Sequence, residues 1–161
     1  MPDSLVNEMP PSTLQSVLLV MFFALFFYQW GAANLEGFLN YPLLRDIGEL
    51  ISKDDWISTR TPKIFPLLVI PFGLSILVTI TLAFLAPPFV PRGVIYFILA
   101  LQVVIAGSTI LVQGPIQFQL NSGFDRAVVD RLITTDFWLR KVHLQVEGML
   151  VIYVLWRVVA R

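Results

Sequence analysis

Residues 93–124 read GVIYFILALQVVIAGSTILVQGPIQFQLNSGF, a run with no charged side chain. An apolar helix of about 20 residues spans the roughly 30 Å hydrocarbon core of a bilayer. The run is long enough to cross, and two more match it, Leu14–Leu35 and Ile64–Val90. A fourth, Val142–Trp156, is interrupted by His143 and Glu147. In lipid a backbone must satisfy its own polar groups, so apolar runs of this length read as helices. The pattern predicts an all-α integral membrane protein, a four-transmembrane-helix bundle forming one domain over 1–161. The spans are expected at about 14–33, 64–86, 93–113 and 142–159, with a short interfacial helix in the third loop.

Composition agrees: 57% of the residues are hydrophobic and the mean hydropathy is +0.77, high for a soluble domain. Eleven basic residues balance 11 acidic ones, which gives no basic face for nucleic acid. The absence of cysteine excludes disulfides, thiolate metal sites and cysteine nucleophiles. Met1–Pro11 holds Asp3 and Glu8 but no Lys or Arg, whereas a cleavable signal needs a basic start. The first run is therefore expected to remain as the first helix.

Helix boundaries can be read from local signals. Ser12 lies three residues before Gln15, the spacing of a capping box opening into the first span. Tyr28, Gln29 and Trp30 near its end suit the headgroup level. Asn34–Lys63 reads as the first loop, with Phe38–Leu44 lying on the bundle or in the interface. Pro62 and Pro66 set the start of the second span near Ile64, and Pro71 inside it predicts a kink. The turn around Pro87, Pro88 and Pro91 makes spans two and three a hairpin. Gly114-Pro115 is expected to break or bend the third span. Asn121-Ser122-Gly123 reads as a turn before a short helix at Asp125–Thr134.

Lys and Arg set the orientation. The first and third loops hold Arg45, Lys53, Arg60, Lys63, Arg126, Arg131, Arg140 and Lys141, against Arg92, Arg157 and Arg161 on the other side. That bias predicts cytoplasmic long loops and both termini outside.

His143 and Glu147 are the leading chemical candidates, since i, i+4 spacing puts them on one helix face. An ionisable residue inside a span usually faces the bundle interior or a wet cavity. The pair reads either as acid–base or substrate-orienting groups or as an interhelical hydrogen-bonded pair. Glu36 would join them, yet with one histidine in the chain no metal site is expected. Gln102, Thr109, Gln113 and Gln117 fall near helical spacing and predict a polar seam that glues helices together or lines a solute path. Phe22, Phe23, Phe26, Phe27, Tyr28 and Trp30 face lipid or a flat hydrophobic molecule such as a polyketide, quinone or pigment.

Several stretches resemble a known group. Gln113-Gly114-Pro115-Ile116-Gln117, Gly123-Phe124-Asp125, Asp130-Arg131-Leu132-Ile133 and Thr135-Asp136-Phe137-Trp138-Leu139-Arg140 resemble motifs of small bacterial four-span proteins of unknown function. Asn40-Tyr41-Pro42-Leu43 resembles the same group's His-Tyr-Pro-Leu. That group is similar to the anthrone-oxygenase-like membrane family. Asn40 and Gln117 stand where related chains tend to carry histidine, and Phe137 replaces an Asn.

Two functions follow as expectations. One is a non-catalytic accessory or scaffold subunit of a larger membrane complex, or a self-associating protein, with lipid or pigment contacts. The other, implied by the resemblance, is an oxygenase-like enzyme or binder of a hydrophobic aromatic molecule. Its polar site would lie at the cytoplasmic ends of spans three and four, with His143 and Glu147 as catalytic candidates. Gln113, Gln117, Asn40, Tyr41 and Glu36 are its candidate ligand-binding residues. The bacterial inner membrane is the location that the resemblance implies.

Overall fold

In the computed structural model the residues described are 10–51, 54 and 63–160. The acidic tail at 1–9, the loop bases Lys53 and Arg60, the boundary at Pro62 and Arg161 lie outside them. Four long apolar helices make up the fold: α1 Thr13–Leu50, α2 Pro66–Leu85, α3 Arg92–Leu120 and α4 Arg126–Val159. No strand occurs among the described residues. The chain is an all-α four-helix bundle with the length and composition of a membrane protein.

Local chemistry starts and stops these helices. Ser12 and Gln15 form the capping box: the Gln15 amide donates to Ser12 Oγ at 3.3 Å, and Gln15 Oε1 accepts from the Ser12 amide at 2.9 Å. Between α2 and α3 the turn is closed by the Val90 amide donating to the Pro87 carbonyl at 3.0 Å. Between α3 and α4 Gly123 takes φ +147°, a backbone region that disfavours a Cβ. Asp125 then caps α4 by accepting from the Ala127 amide at 2.8 Å.

The helices form a ring in which α1 packs on α2 and α4, and α3 packs on the same two. A larger apolar core fills the half nearer the termini, around Phe22, Phe26, Leu82, Ile95, Ile98 and Val151. A smaller one fills the loop end: Tyr41 and Leu44 from α1, Ile116 and Leu120 from α3, Val129 and Leu132 from α4. Helix length explains why α2 is absent from the second core. At 1.5 Å per residue the 20 residues of α2 cover about 30 Å, one hydrocarbon thickness. The other three, of 38, 29 and 34 residues, run past it. Without a hydrophobic drive between helices in lipid, side-chain packing and hydrogen bonds hold such a bundle together.

Helix continuity departs from the sequence reading in three places. α1 continues through the start of the expected first loop, α3 passes through Gly114-Pro115 to Leu120, and the third-loop helix Arg126–Asp136 runs into the fourth span. A widened i→i+5 turn accounts for the first two. Proline lacks the amide hydrogen, and its ring clashes with the carbonyl four residues back. The π turns Glu36–Asn40, Phe65–Val69 and Thr109–Gln113 each end two residues before a proline: Pro42, Pro71 and Pro115. Their extra residue moves the obstructed carbonyl aside, so the helix continues. The Tyr41 amide reaches the Glu36 carbonyl and the Gly114 amide that of Thr109. A fourth π turn, Phe137–Lys141 in α4, has no proline after it.

Candidate functional site

The four widened turns among the described residues lie at the loop end, and those of α1, α3 and α4 fall between the two apolar cores. Such turns occur often at functional sites because they re-aim side chains. In α4 the re-aimed groups are charged. Asp136 immediately precedes the turn, and i→i+5 closure brings both the fourth and the fifth residue over it. Arg140 Nη1 sits 3.1 Å from Asp136 Oδ1, and Lys141 Nζ 3.9 Å from Oδ2. Asp136 and Lys141 are buried at 3% and 5% exposure, where an unpaired charge would be very costly. Lys141 also places its ammonium 3.4 Å from the centre of the Phe38 ring. Gly37 makes room for it: a Cβ there would overlap Lys141 Cε and Nζ.

The α1 turn supplies the facing wall. Glu36 Oε2 accepts from Asn40 Nδ2 at 2.8 Å, and Tyr41 stands next to them, its ring buried. Gln117 Nε2 donates to the Tyr41 hydroxyl at 3.0 Å, joining α3 to α1. The Arg140 guanidinium is near enough to Tyr41 to be influenced electrostatically by it, and Glu36 is near enough to act in the same way on Asp136 and Arg140. The cluster therefore sets two acids against two bases, bridged by a phenol and an amide.

Two cavities open on this cluster. The inner one, about 240 Å³, has Glu36, Tyr41, Gln117, Asp136, Arg140 and Lys141 at its polar side and Leu68, Phe72, Ile105 and Leu144 among its apolar walls. The outer one, about 770 Å³, is a mainly apolar groove between α1 and the start of α2. Both share Glu36, Tyr41, Ile64 and Leu68. Where α1 and α2 close together, the Tyr28 hydroxyl donates to the Leu67 carbonyl at 2.8 Å, and Gln29 Nε2 to the Pro71 carbonyl at 2.6 Å. Leu67 is the residue whose carbonyl Pro71 cannot serve.

The structure thus gathers Glu36, Asn40, Tyr41 and Gln117 at one end. Asn40 faces the groove, while the other three line both cavities or the inner one. Gln113 stands apart, fully buried, accepting from Thr135 Oγ1 at 3.4 Å with its Nε2 unpartnered. The expected pairing of His143 with Glu147 is not made. The Glu147 carboxylate instead accepts from Gln102 Nε2 at 2.8 Å, with Ser75 Oγ 3.4 Å from the same nitrogen. Those three residues form a small buried cluster among α2, α3 and α4. His143 is half-buried, its Nδ1 without a partner, and it lines neither cavity. Gln102 therefore does not share one seam with Gln117.

Sequence reading did not single out Asp136, Arg140 and Lys141 as site residues. Their i, i+4, i+5 spacing was the available signal, and it becomes informative only once the turn is known to widen. It likewise missed the bridge in which Gln145 accepts from Trp30 Nε1 and donates to Asn34 Oδ1, both at 3.0 Å. No family model, curated protein or solved structure matches this chain.

Proposed function

We propose that this protein binds a small amphipathic molecule inside the bundle, at the loop end. The observation that supports this most directly is the cluster of Glu36, Tyr41, Gln117, Asp136, Arg140 and Lys141 in the wall of a cavity whose remaining lining, apart from Gln29 and Thr109, is apolar. Ligand sites are commonly apolar pockets with a few convergent polar groups. Buried charges within helices normally carry such roles. Under the resemblance the ligand would be a hydrophobic aromatic compound, with an oxygenase-like reaction as its fullest form.

We further propose that the loop end faces the cytoplasm and both termini the outside of a bacterial inner membrane. The Lys and Arg bias supports the orientation, and the resemblance supports the source. An accessory role in a larger complex has its own support. Only 28–33% of each spanning window is buried within the chain, which leaves wide apolar flanks for lipid or a neighbouring subunit.

The test is extraction of the mildly purified protein with organic solvent, followed by mass spectrometry. Binding predicts a small molecule enriched over bulk lipid and depleted in the Tyr41→Phe protein. Equal lipid profiles in both would overturn the proposal.

A further inference from the structure

We infer that the ligand has two parts, a neutral ring-sized head bearing oxygen acceptors and a long apolar tail, and that it enters sideways from the bilayer between α1 and α2. This rests on the binding reading above and goes further by specifying ligand and route. The inner cavity fixes the size of the head. A cavity of about 150 Å³ accommodates benzene, so about 240 Å³ accommodates one substituted ring and little more.

Charge fixes its character. Glu36 and Asp136 already balance Arg140 and Lys141, so an anionic or cationic head would leave one desolvated charge uncompensated. Neutral carbonyl or hydroxyl oxygens can accept from the donors of Arg140, Gln117 or Tyr41 without upsetting that balance.

The tail follows from the groove. It is about three times the volume of the inner cavity and meets it along a shared wall of Glu36, Tyr41, Ile64 and Leu68. Its flanks are Gly31, Leu35, Leu43 and Leu67, and the three leucines are exposed on the outer face of the bundle. A lipid-dissolved chain can lie there with its head turned inward past Leu68. A water-borne ring would have no use for so long an apolar approach.

The probe is decyl-benzoquinone carrying a photoreactive diazirine at the tail end, presented to the full chain in phosphatidylcholine nanodiscs. Peptide mapping should find the label concentrated on residues 31–47 and 63–68. Unlabelled decyl-benzoquinone should compete it away by at least about tenfold, while decanoate at equal membrane concentration should not. Leu35→Trp, a change at an exposed groove wall, should cut tail labelling severalfold, while methyl-benzoquinone, which has the head and no tail, should bind it as it binds the parent. If methyl-benzoquinone still binds but tail label spreads over lipid-facing positions such as Leu111 and Met149, the two-part ligand is wrong and the binding reading stands. If decanoate competes as well as the quinone, the neutral head is wrong. If no ring compound binds saturably, both readings fail.

Discussion

The Tyr41 hydroxyl accepts a hydrogen bond from Gln117 at 3.0 Å and lies near enough to the Arg140 guanidinium to act on it electrostatically, so one phenol brings three of the four helices together. Tyr41 follows the widened turn of α1, Gln117 that of α3, and Arg140 lies within that of α4. The polar site and the irregular backbone are one feature.

A double-mutant cycle measures that link. Tyr41→Phe and Gln117→Leu should each lower unfolding free energy in detergent by about 1 kcal/mol, the usual scale for an interhelical hydrogen bond in a membrane protein. Together they should cost less than the sum, with a coupling of roughly 0.6 kcal/mol. Additive losses would mean the bond contributes nothing.

Gly37→Ala should destabilise the protein even though alanine is the better helix former by about 1 kcal/mol. The new Cβ would displace an ammonium held between Asp136 and the Phe38 ring. Combining it with Lys141→Ala should remove most of the conflict and leave only the approach to Asp136 Oδ2, so the cost of Gly37→Ala should shrink in that background. Chemical unfolding of the four proteins distinguishes these outcomes; a Gly37→Ala protein as stable as the parent would refute the packing described.

Tyr28 is expected to matter because Pro71 is present. Its hydroxyl donates to the carbonyl that proline leaves without an amide. Tyr28→Phe should cost about 0.6 kcal/mol in the parent and close to nothing in Pro71→Ala, where an ordinary helical bond can replace it. An equal cost in both backgrounds would show that the two residues act independently.

For the mid-bundle cluster, Glu147→Gln should retain an acceptor for Gln102 Nε2 and change thermal stability little. Glu147→Leu leaves that amide with only the longer Ser75 contact and should lose about 1–3 kcal/mol, the penalty for a poorly satisfied buried polar group. Equivalent melting of both variants would remove Glu147 from the account of packing.

The spans were legible because lipid imposes a length and polarity requirement that few residues can break. Glu36, Asn40, Tyr41 and Gln117 were legible as pieces, from polarity near a span end and from motif resemblance. Their gathering around one polar site was expected, but the particular bond from Gln117 to Tyr41 was not, since the two lie 76 positions apart and no local rule pairs them. Local rules also misdirected in two ways. Gly114-Pro115 signalled a break or a bend because the proline penalty assumes a regular α-turn, and the π turn at Thr109–Gln113 lets the helix continue past it. His143 and Glu147 were paired because i, i+4 spacing reports only neighbours on the same helix, while the actual partner of Glu147 is on α3.

Native mass spectrometry of the intact chain released from mild detergent tests the central claim most directly, because protein, ligand and partner masses are read together. A loop-end binding site predicts the chain carrying one small-molecule adduct, with that adduct lost in Tyr41→Phe while the protein stays folded. A bare chain, or an adduct unchanged by Tyr41→Phe, would contradict it.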